Sequence, residues 1–285
     1  MKIRFLGTAA AEGIPSLFCT CAHCQFARKV KGKEIRTRSG AIVDDVLKID
    51  FCPDSYKHLL DNDLDYAKVH AVLITHSHED HLLPTDLAFR RDGFSHLPKN
   101  DPPMTVYGNA KVAEFMKPHL CDAVASRVLK PFEPVQIEGY TVTALQGVHC
   151  RTNDAQTFPV TFEGKTVYRS EDALFYLVEK DGKSILYAHD TDEFTPEDMD
   201  FLAGRKIDLI SLDCTNAAYQ ADYIGHMGAA DNLRMREKLL ANGAADAHTV
   251  FVANHFSHNG MIAHEKLEAM MPGFVVAYDG MMLEI

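Results

Sequence analysis

Residues 76–81 read His-Ser-His-Glu-Asp-His, three imidazoles and two carboxylates in six positions. That composition suits a metal site better than a core or a solvated loop, because neutral imidazoles and carboxylates are ligands for divalent ions. An apolar run at 69–75 leads straight into it and reads as a buried strand. If the backbone stays extended through Ser77, a period of two aims His76 and His78 the same way, so both rings reach one ion. A helix beginning near Asp80 swings Asp80 and His81 toward a second ion beside the first. Two ions about 3.5–4 Å apart clamp a phosphate or carbonyl oxygen and hold a hydroxide between them.

A second constellation, Cys19-x-Cys21-x-x-Cys24, sets three thiols within six positions. Three thiolates suit one tetrahedral ion and leave its fourth position open. His23 lies between two of them, badly placed to turn inward. Further candidate ligands stand singly. Asp50, His149 after Gly147-Val148, Asp190 and His255 lie at the ends of apparent strands, and Asp213-Cys214-Thr215 repeats the pattern. His226, between Gly225 and Gly228 ahead of a helix, stands apart from it. Layered α/β folds gather strand ends on one sheet edge, so such residues become neighbours. His23, His58, His70, His96, His119, His189, His248 and His264 fit no such pattern and are read as surface or core residues.

The elements that must position these groups follow from periodicity and turn chemistry. Strands are expected at the N-terminus, at 41–51, 69–75, 104–107, 135–145, 207–212, 250–253, 274–277 and 281–285, with a hairpin pairing 175–178 and 184–187. Helices are expected from Pro53 to about 60, at 84–91, 110–116, 229–241 (stopped by Asn242-Gly243) and 261–270, with a basic helical or irregular stretch at 25–33. Residues 7–13 form a small-residue turn whose amides could approach an anion. Arg90 and Arg91 are read as a solvated face rather than anion contacts. The segment 151–171 shows little periodicity and reads as a functional loop. No repeat and no Gly/Ser linker divides the chain, so one domain over 1–285 is expected.

The chain has 285 residues, enough for a sizeable core, and 46% of them are hydrophobic. Its 29 basic and 40 acidic residues give a net charge of −11, which disfavours an extended nucleic-acid groove but not a small anionic substrate held by metal ions. The N-terminal residues alternate and then meet Glu12, Gly13 and Pro15, unlike a signal peptide, and no run approaches the ~20 apolar residues of a membrane span. The expected location is the cytoplasm, where disulfides among seven cysteines are disfavoured in favour of metal binding or catalysis. A homodimer is compatible with this composition.

The His-x-His-x-Asp-His run after a hydrophobic strand resembles the signature of the metallo-β-lactamase-like hydrolases, and the resemblance spans nearly the whole chain. It implies an α/β fold, a four-layer αββα sandwich. Carried over position by position, it implies that His76, His78 and His149 bind one ion, that Asp80, His81 and His255 bind a second, and that Asp190 bridges the two. Zinc, manganese or iron suits such donors. A narrower match joins Cys19, Cys21 and Cys24, Gly225-His226, His255-x-x-His258, Pro272-Gly273-Phe274 and Tyr278-Asp279-Gly280-Met281, which together resemble the phosphoribosyl 1,2-cyclic phosphate phosphodiesterases of phosphonate breakdown. That resemblance implies a structural zinc on Cys19, Cys21, Cys24 and His258, and makes His226 the general acid or a substrate-phosphate contact. Relative to that group, 151–171 is an insertion directly after a metal ligand.

The expected activity is therefore that of a binuclear metal-dependent phosphodiesterase. It acts on a small cyclic nucleotide or sugar phosphate through a metal-bridging hydroxide, with His226 and Asp80 as catalytic residues. Lactone or thioester hydrolysis is the alternative within the same superfamily. RNA processing lacks an obvious basic arm. From another class comes a non-hydrolytic accessory protein resembling those of pyrroloquinoline quinone biosynthesis, some of which carry the same cysteine cluster. The intact histidine set weighs against it. A dioxygen-reducing di-iron protein more often has Glu in place of the second His.

Overall fold

The computed structural model describes residues 1–149, 173–220 and 225–285, together with the backbone of 157–162 and 165–170. Strands β1 (Lys2–Gly7), β2 (Gly40–Val43), β3 (Leu47–Ile49), β4 (Ala71–Leu73), β5 (Met104–Gly108) and β6 (Val124–Val128) build a first sheet. Strands β7 (Pro134–Ile137) and β8 (Tyr140–Gln146) open a second. A separate pair, β9 (Thr157–Phe162) and β10 (Lys165–Ser170), comes next in the chain. The second sheet continues with β11 (Leu174–Lys180), β12 (Lys183–Ala188), β13 (Leu209–Asp213), β14 (Val250–Asn254) and β15 (Phe274–Val276), before β16 (Met281–Glu284) returns to pair with β1. Each large sheet has seven strands, in the orders β16-β1-β2-β3-β4-β5-β6 and β15-β14-β13-β12-β11-β8-β7.

Alternation along the strands makes the layers. In β4, Ala71 and Leu73 join Ile3, Phe5, Tyr176, Tyr187 and Val252 in a core between the two sheets. Val72 joins a separate outer cluster with Val112 and Met116 of α4 (below). In the second sheet Leu186, Ile210 and Phe251 belong to an outer cluster with Leu202, Met235 and Leu239. Both faces of the central strands are buried, so their sequences are almost continuously apolar. Among the described residues seven helices flank them: α1 (Ala22–Val30), α2 (Ser55–Asp61), α3 (Pro84–Leu87), α4 (Ala110–Met116), α5 (Pro196–Leu202), α6 (Ala229–Ala241) and α7 (His264–Met270). The helix starts are chemically marked. At α5, Thr195 accepts from the amide of Asp198, whose carboxylate accepts from the amide of Thr195, with Pro196 in the first turn. The result is the expected α/β arrangement, two mixed sheets face to face with helices outside.

Several sequence boundaries shift for local reasons. The run 41–51 is two strands, because Asp44 and Asp45 adopt left-handed backbone (φ 49 and 56) and reverse the chain. The run 135–145 is likewise divided at Glu138-Gly139 (φ 49 and 81). In both, apolar residues resume directly after the turn and hide it. The helix expected at 84–91 ends at Leu87, where Phe89 and Arg90 tighten to amide bonds onto Asp86 and Leu87. The last helix begins at His264 rather than 261, since Met261 is left-handed (φ 53). The basic stretch is helical, but α1 starts inside the cysteine cluster, with Cys21 as N-cap. A strand at 124–128 was not signalled by the sequence. Part of the supposedly aperiodic segment 151–171 is the β9–β10 pair, built on Thr, Val, Phe and Tyr; the rest of that segment lies outside the described residues. Among the described residues no helix is long and apolar enough to cross a membrane.

Candidate metal centre

Strands β12, β13 and β14 run parallel and in register, Ala188 beside Leu212 and Asp213 beside Asn254. The residues that follow them, Asp190 and His255, and the final residue of β13, Asp213, therefore emerge side by side. From the same sheet β8 delivers Gly147-Val148-His149. A Cβ on Gly147 would lie 3.1 Å from the carbonyl of Ala173, so a larger residue would press the two chains slightly apart just before His149. The first sheet supplies His76 to His81 from beyond β4. The helix expected to begin near Asp80 does not form there: Asp80 and His81 lie in a turn closed by amide bonds from His81 and Leu82 to the carbonyl of His78, and α3 starts only at Pro84. The turn still brings both side chains inward.

Two donor groups result, each with ligand atoms within 4.8 Å of one another: His76, His78 and His149; and Asp80, His81, Asp190 and His255. Asp190 faces both. Its Oδ2 lies 2.6 Å from His81 Nε2, 3.3 Å from His255 Nε2 and 3.6 Å from His76 Nε2, and its Oδ1 lies 3.4 Å from His149 Nδ1. The far side of each ring is anchored. His81 Nδ1 meets Asp50 Oδ2 at 2.7 Å, and His255 Nδ1 meets Thr215 Oγ1 at 2.7 Å and Asp213 Oδ2 at 3.2 Å. An N–H held by Asp50 or Asp213 leaves a lone pair on Nε2 aimed into the cluster. Among the described residues the buried Nε2 atoms of His76, His81 and His255 find no partner in hydrogen-bond geometry, close as Asp190 is. Buried imidazole nitrogens converging on carboxylate oxygens without hydrogen-bond geometry are what a cation between them satisfies. The residues fit the expected ions.

The field agrees. Burial works to lower the pKa of His81, but Asp80, Asp50 and Asp190 outweigh it and raise it well above the imidazole range. For His255, burial is likewise overcome by Asp190 and Asp213, which push it up to about 10. A nitrogen that draws a proton so strongly draws a divalent cation for the same electrostatic reason. Burial would raise Asp190, yet His255, His149 and His81 hold it well below the usual carboxylate range.

Asp50, a candidate ligand source in the sequence, belongs to neither group. Its Oδ1 accepts from the amide of Thr75 at 2.8 Å and from Thr75 Oγ1 at 3.0 Å while Oδ2 orients His81. His226 Nδ1 is 3.2 Å from Asp213 Oδ2, 3.2 Å from Thr215 Oγ1 and 3.3 Å from Asp190 Oδ1. It is thus nearer the ions' residues than its place in the sequence suggests, and Asp190, Asp213, His226 and His255 form a further donor group. Burial lowers its pKa, Asp213 and Asp190 raise it, and the net shift is upward. Asp213 is the residue that sequence reasoning passed over: it accepts from the amides of Asp190 (3.1 Å), Thr215 (3.0 Å) and Met227 (3.0 Å) while touching both His226 and His255. Its strand-end position was the available signal. Arg91 is exposed and stacks on Phe94, but Arg90 is not on a solvated face as expected: it is buried against Asp101 and the carbonyl of Ala67, and neither lines the cleft.

The cysteine cluster forms beside this centre. Cys19, Cys21, Cys24 and His258 put their ligand atoms within 4.8 Å of one another, with Cys19 and Cys21 Sγ 3.5 and 3.8 Å from His258 Nδ1. Tetrahedral zinc separates an imidazole nitrogen from a thiolate sulfur by about 3.6 Å, so the set fits. The hydrogen bond with His258 and the amide of Cys24 lower the Cys21 thiol to about 6. His23 is not among the converging groups. A cleft of about 460 Å³ opens over the first centre, lined by His78, Asp80, His149, Asp190, His226 and His255 on its floor and by Ala10, Ala11, Glu12, Ser257 and Asn259 on one wall.

Comparison with known proteins agrees with this geometry. A family model described as beta-lactamase superfamily domain matches residues 49–265. Coenzyme PQQ synthesis protein B of Methylobacterium radiotolerans is 25% identical, with all of both chains covered. Among solved structures, a diphosphatase from the PhnP family superposes with a TM-score of 0.72 at 22% identity, covering 100% of this chain and 97% of that one. The zinc-bound PqqB of Methylobacterium extorquens gives 0.70 at 18% identity over all of both chains. The short form of human tRNase Z gives 0.61 at 16% identity, covering 100% and 99%.

Proposed function

This chain belongs to the beta-lactamase superfamily, and from that premise we propose that it is a binuclear metal-dependent hydrolase that cleaves a phosphodiester of a small sugar or nucleotide phosphate. The observation that carries the reading is Asp190, whose two oxygens face both donor groups while three buried imidazole nitrogens converge on it with no hydrogen-bond geometry among the described residues. His76, His78 and His149 would hold one ion, Asp80, His81 and His255 the other, and Asp190 both. When bound, such a pair supplies Lewis acidity toward a phosphoryl oxygen and a water of lowered pKa.

The chain's own residues do the rest. Asp50 and Asp213 fix the ring orientation of His81 and His255. His226, drawn toward its protonated form by Asp213 and Asp190, keeps Nδ1–H on Asp213 and delivers a proton from Nε2 to the departing oxygen. Thr215 and Asn216, which donates to the carbonyl of His226 at 3.0 Å, hold the loop in place. The likeness in fold to a PhnP-family diphosphatase supports phosphate-ester chemistry, and the cysteine–histidine cluster supports a separate structural zinc.

A second reading has its own observation: the full-length match to coenzyme PQQ synthesis protein B supports a non-hydrolytic accessory role. One assay divides the two. Protein loaded with zinc or manganese is expected to hydrolyse bis(p-nitrophenyl) phosphate, and to lose that activity in Asp190→Ala. Full ion occupancy with no turnover of any diester or lactone would favour the accessory role.

A further inference from the structure

We infer that Glu12 is a specificity-determining residue of the cleft. Resting on the phosphodiester reading, it selects substrates in which one phosphate is joined to a neutral, hydroxyl-bearing body such as a sugar, and it disfavours substrates with a second anionic group. The turn that carries it is strapped on both sides. The amide of Ala10 donates to the carbonyl of Phe256 at 2.9 Å, Gly13 donates to Ala10 at 3.0 Å, and Ile14 and Arg36 exchange amide bonds of 2.9 and 2.7 Å. Glu12 therefore stands on a fixed backbone and lines the same cleft as His78, His149 and Asp190.

The carboxylate is fixed as well. Ser257 Oγ donates to Glu12 Oε1, and His258 Nε2 lies 3.6 Å from the same oxygen, while His258 Nδ1 faces Cys19 and Cys21. A histidine whose one nitrogen serves a metal cluster and whose other meets a carboxylate is a rigid unit. The Glu12 side chain lines the cleft and is 28% exposed. One oxygen is committed to Ser257 and His258, so the other is the acceptor presented to a ligand. A carboxylate accepts from hydroxyl or amine donors and repels phosphate. Asn259 and Ser257 on the same wall add neutral polar groups, and the exposed Glu79 on the cleft rim adds a second negative charge. Among the described residues that line the cleft there is no lysine or arginine, and the donors converging beneath it would hold the ions that meet a phosphate.

The test is binding, measured by calorimetry on protein loaded with zinc, with ribose 5-phosphate, ribose 1,5-bisphosphate and methyl phosphate as probes. Ribose 5-phosphate is expected to bind at least tenfold tighter than methyl phosphate and tighter than the bisphosphate. Glu12→Ala should erase the sugar preference, a loss of about ten- to a hundredfold for a hydrogen bond to a charged group, and leave methyl phosphate unchanged. Glu12→Gln, which preserves shape, should lose the sugar preference in part and bind the bisphosphate better than wild type does. Melting temperature and metal content, unchanged in Glu12→Gln, separate this from unfolding. Equal sugar preference in wild type and Glu12→Ala, or no binding of any probe, overturns the inference. Turnover of bis(p-nitrophenyl) phosphate is followed in parallel: diesterase activity without a Glu12-dependent preference rejects this inference and keeps the phosphodiesterase reading. A Glu12-dependent preference without diesterase activity does the reverse.

Discussion

Asp50 shows how a residue outside the donor groups would govern an ion it does not touch. It holds His81 Nδ1 at 2.7 Å and is itself held by Thr75, so it sets which nitrogen of His81 carries a lone pair into the cluster. Asp50→Ala is expected to weaken ion binding about 10–100-fold while leaving the donors in place, as read from chelator competition. Unaltered affinity would mean the tautomer is set elsewhere. His226 makes a different demand. If it protonates the departing oxygen, His226→Ala should slow cleavage of a diester with a ribose leaving group by about 10²–10⁴-fold and barely affect a nitrophenolate leaving group, which departs unprotonated. Equal losses on both would point to phosphate contact, and a fall in metal content would make it a ligand in the group it forms with Asp190, Asp213 and His255.

At the scale of elements, β3 rests on a buried cation. Lys48 is fully enclosed, and its ammonium donates to the carbonyls of Ile49 (3.1 Å) and Asp50 where the strand ends. Burial pushes its pKa down to about 8. The unfolded chain keeps that proton to about pH 10.4, so between these values the unfolded state binds more protons and stability rises with pH. Relative to Lys48→Met, wild-type stability should gain up to about 1 kcal/mol from pH 8 to pH 9 in denaturant titrations. A constant difference between the two proteins would show that Lys48 titrates normally. Elements were also where the sequence was clearest and most deceptive. Helices α4 and α6 stand where their patterns put them, because Asn109 and Asn242-Gly243 mark their ends. The β2–β3 and β7–β8 turns were hidden because apolar residues resume at once on the far side. The converging donors were legible because each follows a strand; Asp213 was given no role because its work is to bond amides and rings, which composition does not reveal.

Across the whole molecule, the donors come from both sheets: His76, His78, Asp80 and His81 from beyond β4 in one, His149, Asp190 and His255 from β8, β12 and β14 in the other. Bound ions would brace the sandwich at one edge, beyond the apolar core between the sheets. Stripping them with a chelator should lower the calorimetric midpoint by about 5 °C or more, since ligand present at 100 times its dissociation constant is worth about 2.7 kcal/mol. Re-addition of zinc should restore it. An unmoved midpoint would mean the core alone keeps the sheets in register at that edge.

Asp50, Asp190 and His255 share a backbone feature: each sits in left-handed conformation, with φ of 55, 55 and 64. For a side chain as large as histidine that costs about 1–2 kcal/mol, and glycine would be at ease there. In descent, selection for the site and selection for the fold therefore oppose each other at these positions. Lineages that abandon the chemistry should accumulate Gly or Asn at 190 and 255 before they erode elsewhere, and become sturdier as they do, whereas Asp50 is retained by its bonds to Thr75. Those positions would then serve as a molecular fossil record, separating working relatives from those that keep only the shape.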